Sequence, residues 1–128
     1  MATILLVEPD RFMAQLITDS FAVQGLEVAT VKDAQGAVDW LDVPKRKCEL
    51  IILELFLGAH SGVELIHEIR SYADWAKIPV VIHSKADITT LFSEAHLKKE
   101  YGVVGVLKKS NKSIPKLVSY ANNKVTKR

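Results

Sequence analysis

The chain has 128 residues, 48% of them hydrophobic and 25% charged, with a net charge of +2. That supplies one core and one domain; no apolar run approaches a bilayer span, the N-terminus lacks a signal-peptide layout, and the charge is too slight to argue for nucleic acid. The one cysteine, Cys48, excludes an internal disulfide and suits a reducing cytoplasm.

The first predicted strand, TILLV (3–7), is apolar on successive residues, as a strand buried on both faces must be. It runs into Glu8, Pro9 and Asp10. A helix predicted over 11–24 carries Met13, Leu16, Ile17 and Phe21; Asp10 can cap its start, and Gly25 stands where it must stop. LEVAT (26–30) is the second strand. Asp33 opens a helix with Ala34, Ala37, Val38 and Leu41 at helical spacing, and Pro44 marks the loop that follows. ELIIL (49–53) runs into Glu54, and Ser61 opens a helix bearing Gly62, Leu65, Ile66 and Ile69. Pro79 begins PVVIH (79–83), which leads to Ser84, and a fourth helix is predicted over 88–99. VVGVL (103–107) runs into Lys108 and Lys109, and Ile114, Leu117, Val118 and Ala121 mark the last helix. Alternating strands and helices imply right-handed crossovers: an α/β fold with a doubly wound, five-stranded parallel sheet in a three-layer sandwich, with residues 1–128 as a single domain.

In such a sheet ligands bind beyond the carboxyl ends of the strands. There the sequence gathers Glu8 and Asp10, Glu54, His83 with Ser84, and Lys109 on one rim. A serine–lysine nucleophile pair would suit Ser84 and Lys109, but no G-x-S-x-G elbow is present. VEPDRFM after the first strand has no glycine for phosphate approach, which counts against a nucleotide or flavin site. His60, His67, His83 and His96 do not share ligand spacing, so no zinc site is expected.

ILLVEPD, LIILELFLGAHSG, IPVVIHS and GVVGVLKK, in that order, resemble the receiver domain of two-component response regulators, a flavodoxin-like fold, over nearly the whole chain. The resemblance implies that position 54 is the phosphoacceptor, that Glu8 and Asp10 belong to the acidic pocket, and that Ser84, Lys109 and Val106 form the switch and rim. In that family an aspartate takes a phosphoryl group from a histidine kinase, with Mg²⁺ held by the acids. Here Glu54 replaces that aspartate, Pro9 replaces one metal-binding acid, Val106 an aromatic and Ser110 a proline. The interval from Ser84 to Lys109 is also a few residues longer than usual.

The extra methylene of glutamate moves its oxygens by about 1 Å, enough to slow transfer ~100-fold. Magnesium needs oxygen ligands that proline lacks, and Asp10 serves either as helix cap or as substitute ligand. The resemblance with these departures implies an atypical receiver, not phosphorylated at position 54, with no catalytic residue and no cofactor, its Mg²⁺ binding in doubt. It would act in cytoplasmic signalling as a phosphorylation-independent interaction module. A weakly phosphorylated receiver, a small α/β enzyme and a nucleotide-binding domain are the alternatives. Glu54 is either a fixed charge that locks the switch or a relic salt bridge. The expected partner is a protein or output domain, or a second copy, meeting residues 88–124, where Leu91, Phe92, Leu97, Tyr101 and Tyr120 are the apolar candidates. Neither a membrane nor nucleic acid is expected as a partner.

Overall fold

The computed structural model describes residues 1–58, 60–88 and 92–125. In chain order the elements are β1 (Ile4–Val7), α1 (Arg11–Val23), β2 (Val28–Val31), α2 (Ala34–Leu41), β3 (Leu50–Leu53), β4 (Phe56–Leu57), β5 (His60–Ser61), α3 (Gly62–Ser71), β6 (Val80–Ser84), α4 (Glu94–Tyr101), β7 (Val103–Lys108) and α5 (Ser113–Lys124). Five strands form a parallel sheet in the order β2-β1-β3-β6-β7. The order reverses between β1 and β3, so the carboxyl ends of those two strands flank the crevice where such folds hold ligands.

Successive strand residues point to opposite faces. Leu5, Val7, Ile51, Leu53 and Ile82 pack with residues of α2, α3 and α4, whereas Ile4, Leu6, Ile52 and Val81 pack with residues of α1 and α5. Both faces are covered, which is why β1, β3 and β6 are apolar at nearly every position. The side chains of Asp10, Asp33 and Ser61 accept hydrogen bonds from the first N–H groups of α1, α2 and α3. Gly25 takes φ +74° just beyond α1, a left-handed conformation that favours a residue without Cβ.

Three features differ from the expectations. The hairpin of β4 and β5 was not anticipated, because two-residue strands carry no periodicity. β2 lies at Val28–Val31 rather than 26–30, and β6 extends to Ser84. The fourth helix spans Glu94–Tyr101 rather than 88–99. Ser93 fixes its start by accepting from the His96 N–H, and Gly102, at φ +66°, ends it; residues 89–91 lie outside the described residues. Arg70 of α3 secures this shorter helix. Its guanidinium donates to the carbonyls of Trp75, Ala76, Ile78, Tyr101 and Gly102, joining α3 to the end of α4.

Gly62 fixes how closely the loop after β3 returns. Its N–H donates to the Leu55 carbonyl at 2.7 Å. A Cβ there would lie 2.7 Å from Leu55 Cα and 3.0 Å from the Glu54 carbonyl oxygen, both backbone atoms that cannot swing aside. Gly62→Ala is therefore expected to destabilise by about 1–3 kcal/mol, measured by denaturant unfolding. A midpoint unchanged from the parent protein would contradict this packing.

Candidate functional site

Glu8 leaves β1, Glu54 leaves β3, Ser84 ends β6 and Lys109 follows β7, and the parallel register brings all four to one rim. Two backbone hydrogen bonds set their heights: Glu54 N–H donates to the Val7 carbonyl at 3.1 Å, and Lys109 N–H to the Ser84 carbonyl at 2.7 Å. The acids are 3% and 2% exposed, and Ser84 is fully buried.

At the centre is the Lys109 ammonium. It lies 2.7 Å from Glu8 Oε1 and 2.8 Å from Glu54 Oε1, bridging the two carboxylates. Their remaining acceptor positions are also engaged. Glu8 Oε2 accepts from the Asp10 N–H, Glu54 Oε2 from Phe56 N–H, and Glu54 Oε1 additionally from Lys85 N–H. Burial alone pushes the Glu54 carboxyl up. The hydrogen bonds from Lys109, Ser84 and the Phe56 N–H, with the lysine's charge, outweigh it and hold the group below the usual carboxylate range. Burial likewise favours a neutral Lys109, but its bonds to Glu54 and Glu8 and their charges raise its pKa above the ordinary value. Removing the lysine from such a buried set strands both carboxylates without compensation, at a cost of about 3–5 kcal/mol.

The other predicted residues stand apart from this contact. Asp10 is exposed and its Oδ1 accepts from Phe12 and Met13 N–H at 2.9 and 3.1 Å, as the α1 cap. Pro9 brings no side-chain oxygen. Val106 is partly buried, pairs in register with Ile82 and packs against the core beside α2, α3 and α4. Of the apolar candidates in 88–124, Leu97 is buried and Phe92, Tyr101 and Tyr120 pack against the core. The last three are half-buried, with part of each side chain still open to solvent; Leu91 lies outside the described residues. Among the described residues no three His, Cys, Asp or Glu groups are placed to hold a metal ion. His67 meets the Tyr101 hydroxyl at 2.9 Å instead.

Sequence reasoning missed a second polar set beneath the rim. Ser113 Oγ accepts from Ser110 N–H and donates to the Ser110 carbonyl, while Ser110 Oγ accepts from Lys112 N–H. With that hydroxyl committed, His83 Nε2 is assigned as donor to Ser113 Oγ at 2.9 Å, and its buried Nδ1 has no partner among the described residues. The spacing of two serines at 110 and 113, ahead of the last helix, was the available signal. Burial, the Lys109 charge and a smaller opposing effect of Glu54 leave the imidazole neutral, its pKa lowered to about 4.

A three-layer sandwich with acids, a hydroxyl and a lysine converging at its switch point defines a receiver-type signalling domain. A family model of the response regulator receiver domain matches residues 4–121, and the chain belongs to that family. The KDP operon transcriptional regulatory protein KdpE of Escherichia coli (strain K12) is 29% identical over 84 residues, 66% of this chain and 35% of KdpE. The two-component response regulator-like protein APRR3 of Arabidopsis thaliana is 31% identical over 88 residues, 69% of this chain and 18% of APRR3. The matched stretch is thus a minor part of either relative. The phosphorylated cyanobacterial phytochrome response regulator RcpA superposes with a TM-score of 0.71 at 26% identity, covering 94% of this chain and 88% of RcpA. No helix among the described residues is long and apolar enough to cross a membrane.

The buried histidine has a measurable consequence. Its pKa falls from 6.5 to about 4 on folding, so between those values the unfolded chain binds a proton that the folded one refuses. Stability should drop as pH falls through that window, by up to about 3 kcal/mol. The contribution of Glu54, whose folded pKa is depressed, should be full above its ordinary value of 4.5 and be lost as pH falls below that. Chemical denaturation at stepped pH checks this: His83→Gln should flatten the fall between pH 6.5 and 4. Equal slopes in the two proteins would contradict it.

Proposed function

We propose that this chain is a receiver whose acid site is permanently occupied by its own lysine, and which acts by binding another protein without being phosphorylated. The observation that carries this reading is the Lys109 ammonium within 2.8 Å of both Glu8 and Glu54. A receiver needs a carboxylate oxygen free to attack phosphorus in line and a cation to neutralise the developing charge. Glu54, at the phosphoacceptor position, instead has both oxygens committed to Lys109, Lys85 N–H and Phe56 N–H.

The donor set does not fit Mg²⁺. That ion needs oxygen ligands near octahedral geometry. Here Glu8 and Glu54 are bridged by the single charge of Lys109, Asp10 caps α1, and Pro9 offers no oxygen. A phosphoryl group would bring a charge of about −1.5 to −2, whereas Glu54 brings one unit that never leaves. Ser84 and Lys109 are therefore held in a single arrangement. On this reading residues 1–128 act as one signalling unit in the cytoplasm, where Cys48 stays reduced, and work by recognition rather than catalysis.

Intact mass before and after incubation with Mg²⁺ and acetyl phosphate tests the reading. We expect no phosphoryl adduct, and an adduct mapped to Glu54 would overturn it. Glu54→Asp alone keeps Pro9, and Pro9→Asp alone keeps the long carboxylate, so each single variant should stay nearly inert. Measurable labelling is expected only when both are combined, because the groups work as one unit. Brisk labelling of Glu54→Asp alone would show that Glu8 and Asp10 suffice for the metal.

A further inference from the structure

At the end of the sheet opposite the rim lies a cleft of 370 Å³, between the turn after α2 and the loop after α3. Cys48 and Ile78, each two residues ahead of a strand, line it and so place it at the amino ends of β3 and β6. Part of its lining is apolar: Leu41 and Ile78 are buried, whereas Val43 and Tyr72 are 43% and 48% exposed.

Arg46 also lines the cleft, and the fold makes little use of its charge. None of the described ion pairs involves it, and its Nε is buried without a hydrogen-bond partner among the described residues. A buried donor left unmet is costly, and such groups in a native fold ask for a reason. Arg70 shows the contrast, since its guanidinium donates to five carbonyls.

Arg46 is nevertheless held in place. Its guanidinium carbon lies 4.4 Å from the centroid of the Trp40 ring. Its backbone N–H donates to the Val43 carbonyl at 3.1 Å, closing a turn with Pro44 and Lys45 in the middle. Lys45 takes φ +63°, a left-handed conformation that this turn favours in glycine or asparagine. Backbone strain of this kind collects where a structure clamps a ligand.

We infer that this cleft binds a small aromatic monocarboxylate, with Arg46 as its anchor. A guanidinium is a planar fork that meets a carboxylate through two parallel hydrogen bonds. Tyr72 and Trp75, with ring centroids 4.6 Å apart, supply aromatic surface for the ligand's ring. Lys45 adds a second cation, but Asp42 and Asp74 line the same cleft. Two carboxylates against two cations disfavour a multiply charged anion such as phosphate, so the ligand carries a single negative charge. The cleft lies apart from Glu54 and Lys109, and its ligand is independent of how the rim is read.

The test uses the full chain and phenylacetate. The two tryptophans of the chain, Trp40 and Trp75, both stand at this site, so intrinsic fluorescence reports its occupancy and amide NMR locates it. Saturable binding is expected with a Kd of about 1 mM or tighter, and with shifts centred on Val43, Arg46 and Trp75. Phenylacetamide, which has the same shape without the charge, should bind at least about tenfold more weakly. Arg46→Gln should weaken phenylacetate binding to the same extent, and inorganic phosphate at constant ionic strength should not compete.

No saturable binding would overturn the inference, as would equal affinity for the amide, shifts centred on the rim, or undiminished binding by Arg46→Gln. Competition by phosphate would overturn it too. So would tighter binding of a peptide ending in phenylalanine, which would make the cleft a seat for a chain terminus. If Arg46→Gln fails to fold, as its amide spectrum would show, the comparison of acid with amide on the unaltered chain still decides.

Discussion

A lysine ammonium held between two carboxylates that have left water is the interaction on which this rim depends. Each of the three charges would be expensive to bury alone; the lysine compensates each carboxylate, and backbone N–H groups help to hold the one negative charge left over. The geometry is correspondingly tight: both contacts fall at 2.7–2.8 Å, and backbone N–H groups satisfy the outward oxygens. Such a set resists intrusion. Any cation or anion entering the site must first displace a partner already bonded there, in surroundings where an unpaired charge is costly.

The fold exists to hold those three side chains at fixed heights. β1, β3 and β7 deliver Glu8, Glu54 and Lys109 to one edge, and β6 delivers Ser84 between them. The loop that carries Lys109 is braced from below, where Ser110 and Ser113 cap one another and His83 ties Ser113 to β6. A proline at position 110 would have no N–H to give Ser113. The serine found there is thus built into the support, which couples the placement of α5 to the placement of the lysine. Arg70 does the equivalent for α4 on the other layer, with carbonyls as its only described partners.

Most of the scaffold was legible in the sequence because its signals are local or periodic. Continuous apolar runs announced strands covered on both faces, and Asp10, Asp33 and Ser61 announced helix starts. The rim residues were legible because strand ends in a parallel sheet must converge. The remaining features depend on the assembled molecule. Nothing near Arg70 in sequence indicates that its five donors will meet carbonyls from the loop before β6 and the end of α4. The two-residue strands Phe56–Leu57 and His60–Ser61 are shorter than any pattern that could reveal them. The fourth helix starts later than the predicted 88, because Ser93 caps it and Ile88 is buried ahead of that cap. Phe92, Tyr101 and Tyr120 are half-buried against the core, a division between core and surface that sequence alone does not reveal.

The account stands or falls on the state of the Lys109 side chain. The most direct measurement is NMR of the lysine ammonium groups in uniformly labelled protein, with and without Mg²⁺. The account predicts a Lys109 ammonium whose protons exchange slowly with water and show scalar coupling across hydrogen bonds to the carboxylate carbons of both Glu8 and Glu54, unchanged by the metal. A freely rotating, rapidly exchanging ammonium, or couplings that vanish as Mg²⁺ is added, would show that the acids are available to an outside cation and would contradict it.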